Sequence, residues 1–154
     1  RVWAIDLERD PLPEAVLQAG PLGTIIMFSV LEHLKDPQAV LAALTERSAR
    51  GTLLLLETTN ADSLSHRVFG SDWEGYFDRT HMSVDACSVR TVPAWLRSLG
   101  WRVVECRTRL MWDRSADPTH HTLRDWWDQD ARFRRRYADR FAEVYEVSTP
   151  QATP

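Results

Sequence analysis

Cysteine is scarce in this 154-residue chain, with Cys87 and Cys106 the only two. Two distant thiols make no metal-binding spacing and no disulfide framework, and they fit a reduced, cytoplasmic protein. No apolar run approaches the ~20 residues that cross a bilayer, and no stretch resembles a signal peptide. Nor does one charge dominate. Nineteen Lys and Arg against 22 Asp and Glu leave a net charge of −3, which gives no general attraction to nucleic acid or to an anionic membrane. No internal repeat is visible. The chain also has no initiating methionine, and begins at Arg1 already inside an apolar run. What is present, 44% hydrophobic and 27% charged residues, is the composition of a soluble globular domain with a real core.

Strand and helix signals alternate along the first two thirds. Residues 2–5 read as a short buried strand stopped by Asp6. The turn-rich "ERDPLPEA" follows, and its prolines bar regular structure. Glu14 to Ala19 can form a brief helix closed by Gly20 and Pro21. "TIIMFSV" and "TLLLLET" are unbroken apolar runs, the mark of strands covered on both faces. Between them Asp36 is a good N-cap, with Pro37 at the first helical position and Val40, Leu41 and Leu44 as an apolar stripe.

The segment from Asn60 to Ser83 has no clean period beyond one short helix around Leu64, Val68 and Phe69. Irregular segments of this length inside a domain are usually functional. A helix opened by Ser88 or Thr91 and closed by Gly100 comes next, then "WRVVECRTRLMW", which alternates like an edge strand. Thr122, with Asp125 behind it, caps a long helix whose stripe includes Leu123, Trp126, Phe133, Tyr137, Phe141 and Val144. Five arginines in "ARFRRRYADR" lie largely on the wet side of that stripe, offset by nearby aspartates, so the run reads as a solvated helix face. The alternation predicts an α/β fold with a mostly parallel sheet.

In "FSVLEHLKDP" an apolar strand runs straight into Glu32 and His33 at the start of a helix. The carboxyl ends of strands are where open α/β sheets bind ligands. Three stretches, "VWAIDLERDPLPEA", "GPLGTIIMFSVLEHLKDPQAVLAAL" and the long segment from Gly51 to Glu105, carry a resemblance in their order and spacing. They resemble the second half of a class I S-adenosylmethionine-dependent methyltransferase, nearest to the bacterial small-molecule group that includes ubiquinone O-methyltransferases. The resemblance implies a Rossmann-like sheet lacking its first strands, over residues 1–110; the helical pattern that follows makes 111–147 a helical extension and 148–154 a frayed tail.

The same resemblance implies roles. Asp6 stands where the family commonly has an acid that accepts from the adenine amino group, and Leu7 would touch the same ring. Ser29, Val30 and Leu31 would lie beside the methionine part of S-adenosylmethionine. The reaction is an in-line displacement at a sulfonium methyl, which needs alignment above all. A base helps when the acceptor must lose a proton, and His81 or His33 could serve. Glu32, Trp73, Tyr76 and Phe77 are expected around the acceptor, although loop aromatics also pack for ordinary reasons. Some relatives hold a divalent ion through Glu-x-x-Glu-His joined by a later histidine. Here Ser29 replaces the first glutamate, and we assign no metal.

Departures matter too. The glycine-rich loop after the first strand and the second-strand acid of the family are absent. Gly23 stands where the family often has aspartate, and Thr59 where it often has proline. The expectation is methyl transfer to the oxygen or nitrogen of a small molecule by a longer chain to which these residues belong. The alternative is a non-catalytic module that pairs with another chain. Neither nucleic acid nor membrane is an expected partner; a homo-oligomer or a partner chain completing the sheet is.

Overall fold

Pro13 precedes a five-residue helix, α1 (Glu14–Gln18), and Gly20 at φ 91° turns the chain out of it. That conformation is open to glycine at little cost. Strand β1 (Leu22–Phe28) follows, then a 3-10 turn at Leu31–His33 and helix α2 (Pro37–Glu46). The Asp36 side chain accepts from the Ala39 N–H at 2.9 Å and Pro37 fills the first position, as the sequence predicts for this helix start. Strand β2 (Ser48–Glu57) runs parallel to β1, pairing Thr24 with Leu53 and Phe28 with Glu57. The structure, a computed structural model, describes residues 2–76, 78–108 and 128–148.

Helix α3 (Leu64–Phe69) and 3-10 turns at Gly70–Asp72, Glu74–Tyr76 and Val84–Ala86 occupy the segment that lacks a clean period. Helix α4 (Thr91–Ser98) is fixed at its start by Ser88 and Thr91, whose hydroxyls accept from each other's backbone N–H groups at 3.2 and 3.0 Å. It ends with Gly100 N–H donating to the Arg97 carbonyl and Trp101 N–H to the Leu96 carbonyl, with Gly100 at φ 88°. This is the helix stop in which a glycine in the left-handed region satisfies the last carbonyls. Trp101 Nε1 then donates to Thr45 Oγ1 at 2.7 Å, joining this end of the chain to α2.

The chain divides into two units, Arg1–Asp62 with Gly75–Cys106, and Ser63–Glu74 with Arg107–Pro154. In the first unit Ile25 and Met27 of β1, Leu31, Leu34, Val40 and Leu41, and Cys87 and Val92 form one core. In the second, Phe69 packs its ring 5.3 Å from Phe133 and 4.9 Å from Tyr137 of helix α5 (Ala131–Ser148). Asp72 there accepts from the Tyr137 hydroxyl and pairs with Arg136 at 2.6 Å. Arg132, Arg135 and Arg136 are exposed, as the stripe predicts. Thr122 and Asp125, with Leu123 and Trp126, lie outside the described residues. Among the described residues no helix is long and apolar enough to cross a membrane.

The fold is α/β, with a Rossmann-like parallel pairing and a C-terminal helix. Three expectations need correction. Residues 2–5 are not a buried strand: they form no ladder with any of the described residues, and Val2 is 98% exposed. Residues 102–108 form no strand either, and Val104 is 80% exposed. Both segments have strand composition, but a strand forms only where a neighbour takes up its backbone groups. The apolar runs of β1 and β2 are also covered on one face only. Ile26, Phe28, Leu53 and Leu55 are 43–60% exposed on the other.

Candidate functional site

At the carboxyl end of β1 the backbone of Ser29 takes φ 51°, the one positive φ of a non-glycine residue among those described. Such a conformation is disfavoured for an L-residue and is a reason to look for function there. Ser29 N–H still donates to the Glu57 carbonyl at 3.0 Å, so the bend begins directly beyond the ladder. The chain then winds through Leu31–His33, and this turn is fastened to residues 82–83. Met82 and Ser83 donate their N–H groups to the Glu32 carbonyl at 2.7 and 3.1 Å, and Ser83 Oγ donates to the Leu31 carbonyl at 2.8 Å. The zipper brings the segment carrying His81 against the turn carrying His33.

Glu32, His33 and His81 therefore converge. The two imidazoles meet edge to face with centroids 4.6 Å apart. One donor atom from each of the three residues lies within 4.8 Å of the others. Glu32 is 2% exposed, and burying a carboxylate is costly unless it is hydrogen-bonded. Thr58 Oγ1, just past the end of β2, supplies such a bond to Glu32 Oε2 at 2.7 Å. The set of two imidazoles and one carboxylate could share a proton or hold a divalent cation.

Each histidine has a partner on Nδ1. His33 meets Thr80 Oγ1 at 2.8 Å, and His81 meets the Gly75 carbonyl at 2.6 Å. Thr80 is held by Asp78, whose Oδ1 accepts from the Thr80 hydroxyl at 2.7 Å and from its N–H at 2.8 Å. These bonds keep the Asp78 carboxyl below the usual carboxylate range. Nearby, burial pushes the Cys87 thiol up, and Cys87 is fully buried in the core. Thr59 Oγ1, at the end of β2, is the one buried side-chain polar atom without a partner among the described residues.

The other sequence-predicted residues are placed as follows. Asp6 lies in a turn where its Oδ1 accepts from Glu8 N–H at 3.0 Å, and its side chain remains 48% exposed. Leu7 is exposed beside it. The Glu8 carboxylate accepts from Lys35 and Asp36 N–H groups, both at 2.8 Å, and so fastens this turn to the segment that follows His33. Val30 is half-buried, whereas the Leu31 side chain is fully buried in the core. Tyr76 donates its hydroxyl to Asp85, which pushes its phenol up to about 12. Trp73 is buried in the second unit, its ring 4.7 Å from that of His66. Phe77 lies outside the described residues.

Sequence reasoning missed Glu8, Thr58, Asp78 and Thr80. A signal existed for one pair. Asp-x-Thr is the pattern in which a carboxylate closes a turn on the N–H two residues ahead. Thr58 and Glu8 act across 26 and 27 residues, and no local pattern marks them.

A family model described as a methyltransferase domain matches residues 5–106. No curated protein and no solved structure matches the chain.

Proposed function

The chain belongs to this methyltransferase family, and from that premise we propose that it moves the methyl group of S-adenosylmethionine to an oxygen or nitrogen of a small molecule. The observation that carries the reading is the convergence of Glu32, His33 and His81 at the carboxyl end of β1, within the matched region. The adenosyl end of the cofactor would meet Asp6 and Leu7, and its methionine end Ser29 and Val30. The donor chemistry fits. Asp6 presents an exposed carboxylate oriented by Glu8 N–H, with an apolar side chain next to it. The unpartnered hydroxyl of Thr59 leaves a polar atom at the strand end for a ligand. When bound, the cofactor supplies the electrophilic sulfonium methyl.

The residues of this chain supply orientation and a proton acceptor. As the acceptor's lone pair takes the methyl group, its own proton passes to a neutral imidazole, His81 or His33. The Glu32 carboxylate beside the pair offsets the charge that arrives with that proton. Glu32 and Tyr76 would bound the acceptor. The reading is tested with methyl-labelled S-adenosylmethionine, the full-length protein and a panel of small phenols and amines. Label in one acceptor class supports it; none in any, with the cofactor bound, contradicts it.

A second reading has its own observation. Parallel sheets are ordinarily covered on both faces, yet Ile26, Phe28, Leu53 and Leu55 leave one face of this pair open. A methyltransferase-like module that pairs with another chain would cover it. Sedimentation analysis of parent and Leu55→Lys tests this. Association lost in the variant supports pairing through the face, and a parent that stays monomeric at all concentrations opposes it.

A further inference from the structure

We propose that Thr80, held by Asp78, is a positioning residue that fixes His33 with its hydrogen on Nδ1 and leaves Nε2 as the proton-accepting atom. The Thr80 hydroxyl has a single hydrogen and two neighbours, Asp78 Oδ1 at 2.7 Å and His33 Nδ1 at 2.8 Å. The Asp78 carboxylate has no hydrogen to give, being held ionised by the same bonds. It takes the hydroxyl hydrogen, and the Thr80 N–H at 2.8 Å to the same Oδ1 locks the arrangement. The Thr80 oxygen then faces His33 with a lone pair. Two lone pairs at 2.8 Å repel, so Nδ1 carries the hydrogen and Nε2 is bare.

His81 reaches the same state by a simpler route. A backbone carbonyl only accepts, so the Gly75 oxygen at 2.6 Å requires Nδ1–H on His81. Both rings thus have basic Nε2 atoms, and both lack a hydrogen there. The tautomer of a histidine is set by what its other nitrogen bonds, and in free imidazole side chains the hydrogen prefers Nε2. The fold has reversed that preference twice in adjacent rings. The charged and titratable groups around His33 are Glu32 on its own turn and Asp78 and His81 on the facing segment. His81 Nε2 lies 3.9 Å from Asp78 Oδ2, beyond hydrogen-bond reach.

The consequence for chemistry rests on the methyl-transfer reading. A base that must accept the acceptor's proton needs a bare nitrogen before the reaction begins. With His33 in the other tautomer, Nε2 would present a hydrogen to the acceptor instead of a lone pair. The arrangement resembles in logic the carboxylate that holds a catalytic histidine in its working tautomer, with a threonine interposed. Thr80 does not itself exchange a proton with the acceptor. Its role is exercised through His33.

Nitrogen-15 long-range correlation spectra of the full-length protein at ~pH 8.5, about two units above the ordinary histidine value, read the tautomer of each ring directly. We expect the Nδ1–H pattern for both His33 and His81 in the parent. Thr80→Val should move His33 to the Nε2–H pattern and leave His81, an internal reference for folding, unchanged. Thr80→Ser should restore the parent pattern. Turnover in Thr80→Val should fall on the order of tenfold, a fraction of a general base's usual contribution, with cofactor affinity unchanged. An Nε2–H pattern for His33 in the parent, or an Nδ1–H pattern surviving in Thr80→Val, overturns the proposal. A His33 tautomer that switches while turnover holds would leave the tautomer assignment standing and remove His33 from the proposed reaction.

Discussion

The proposed roles of single residues separate binding from chemistry. In the proposed site, Asp6→Ala would remove one acceptor for the adenine amino group and nothing at the histidine pair. A lost hydrogen bond of this kind is worth on the order of 1 kcal/mol, so S-adenosylmethionine affinity should weaken about fivefold in calorimetry of the full-length protein. Unchanged affinity would take Asp6 out of the site. Ser29 holds a conformation that glycine adopts without strain. Ser29→Gly should therefore raise stability in urea unfolding by up to roughly 1 kcal/mol, the relief of strain exceeding the extra freedom of the unfolded backbone. Asp78 gives a pH dependence. Its folded value lies below the usual one because Thr80 donates to it twice, so the stability it contributes is present above the unfolded carboxylate value. That contribution is lost as pH falls through the depressed folded value. In Thr80→Val the carbon-13 titration of the Asp78 carboxyl should move back toward the ordinary range.

Elements show what the sequence could and could not tell. The start of α2 was legible because Asp36 and Pro37 act within one turn, and the end of α4 because Gly100 alone permits its helix stop. The parallel pairing of β1 with β2 follows from two apolar runs separated by a helix. The approach of His33 to His81 was half legible: both stand out as histidines in irregular segments, but it takes the bonds of Met82 and Ser83 to the Leu31–His33 turn to bring them together. Residues 2–5 and 102–108 have strand composition yet form no strand, because period and composition describe one segment, whereas a ladder needs two. The same limit applies to strand faces. An apolar run cannot say whether its second face is covered, and here Ile26 is 60% exposed while Met27 is 4% exposed. Met27→Ala should cost about 2–5 kcal/mol, the usual range for a buried methionine. Ile26→Ala should stay within about 1 kcal/mol, as exposed positions do. Urea midpoints of the two variants check this, and equal losses would mean that the Ile26 face is covered in solution.

At the scale of the whole molecule, a methyltransferase chain places a carboxylate and two imidazoles at one strand end, and the cofactor's expected contacts on a neighbouring turn fastened by Glu8. The proposed roles make binding and chemistry separable, because Asp6 and Leu7 would hold the adenosyl end while His81 or His33 would receive the acceptor's proton. The most direct test is the steady-state kinetics of His81→Ala and His33→Ala in the full-length protein, with labelled S-adenosylmethionine and an identified acceptor, beside calorimetric cofactor affinity for each variant. The account predicts that kcat falls on the order of 100-fold in at least one variant, the lower range for loss of a general base, while cofactor affinity stays within twofold of the parent. Parent-like kcat in both variants would contradict it.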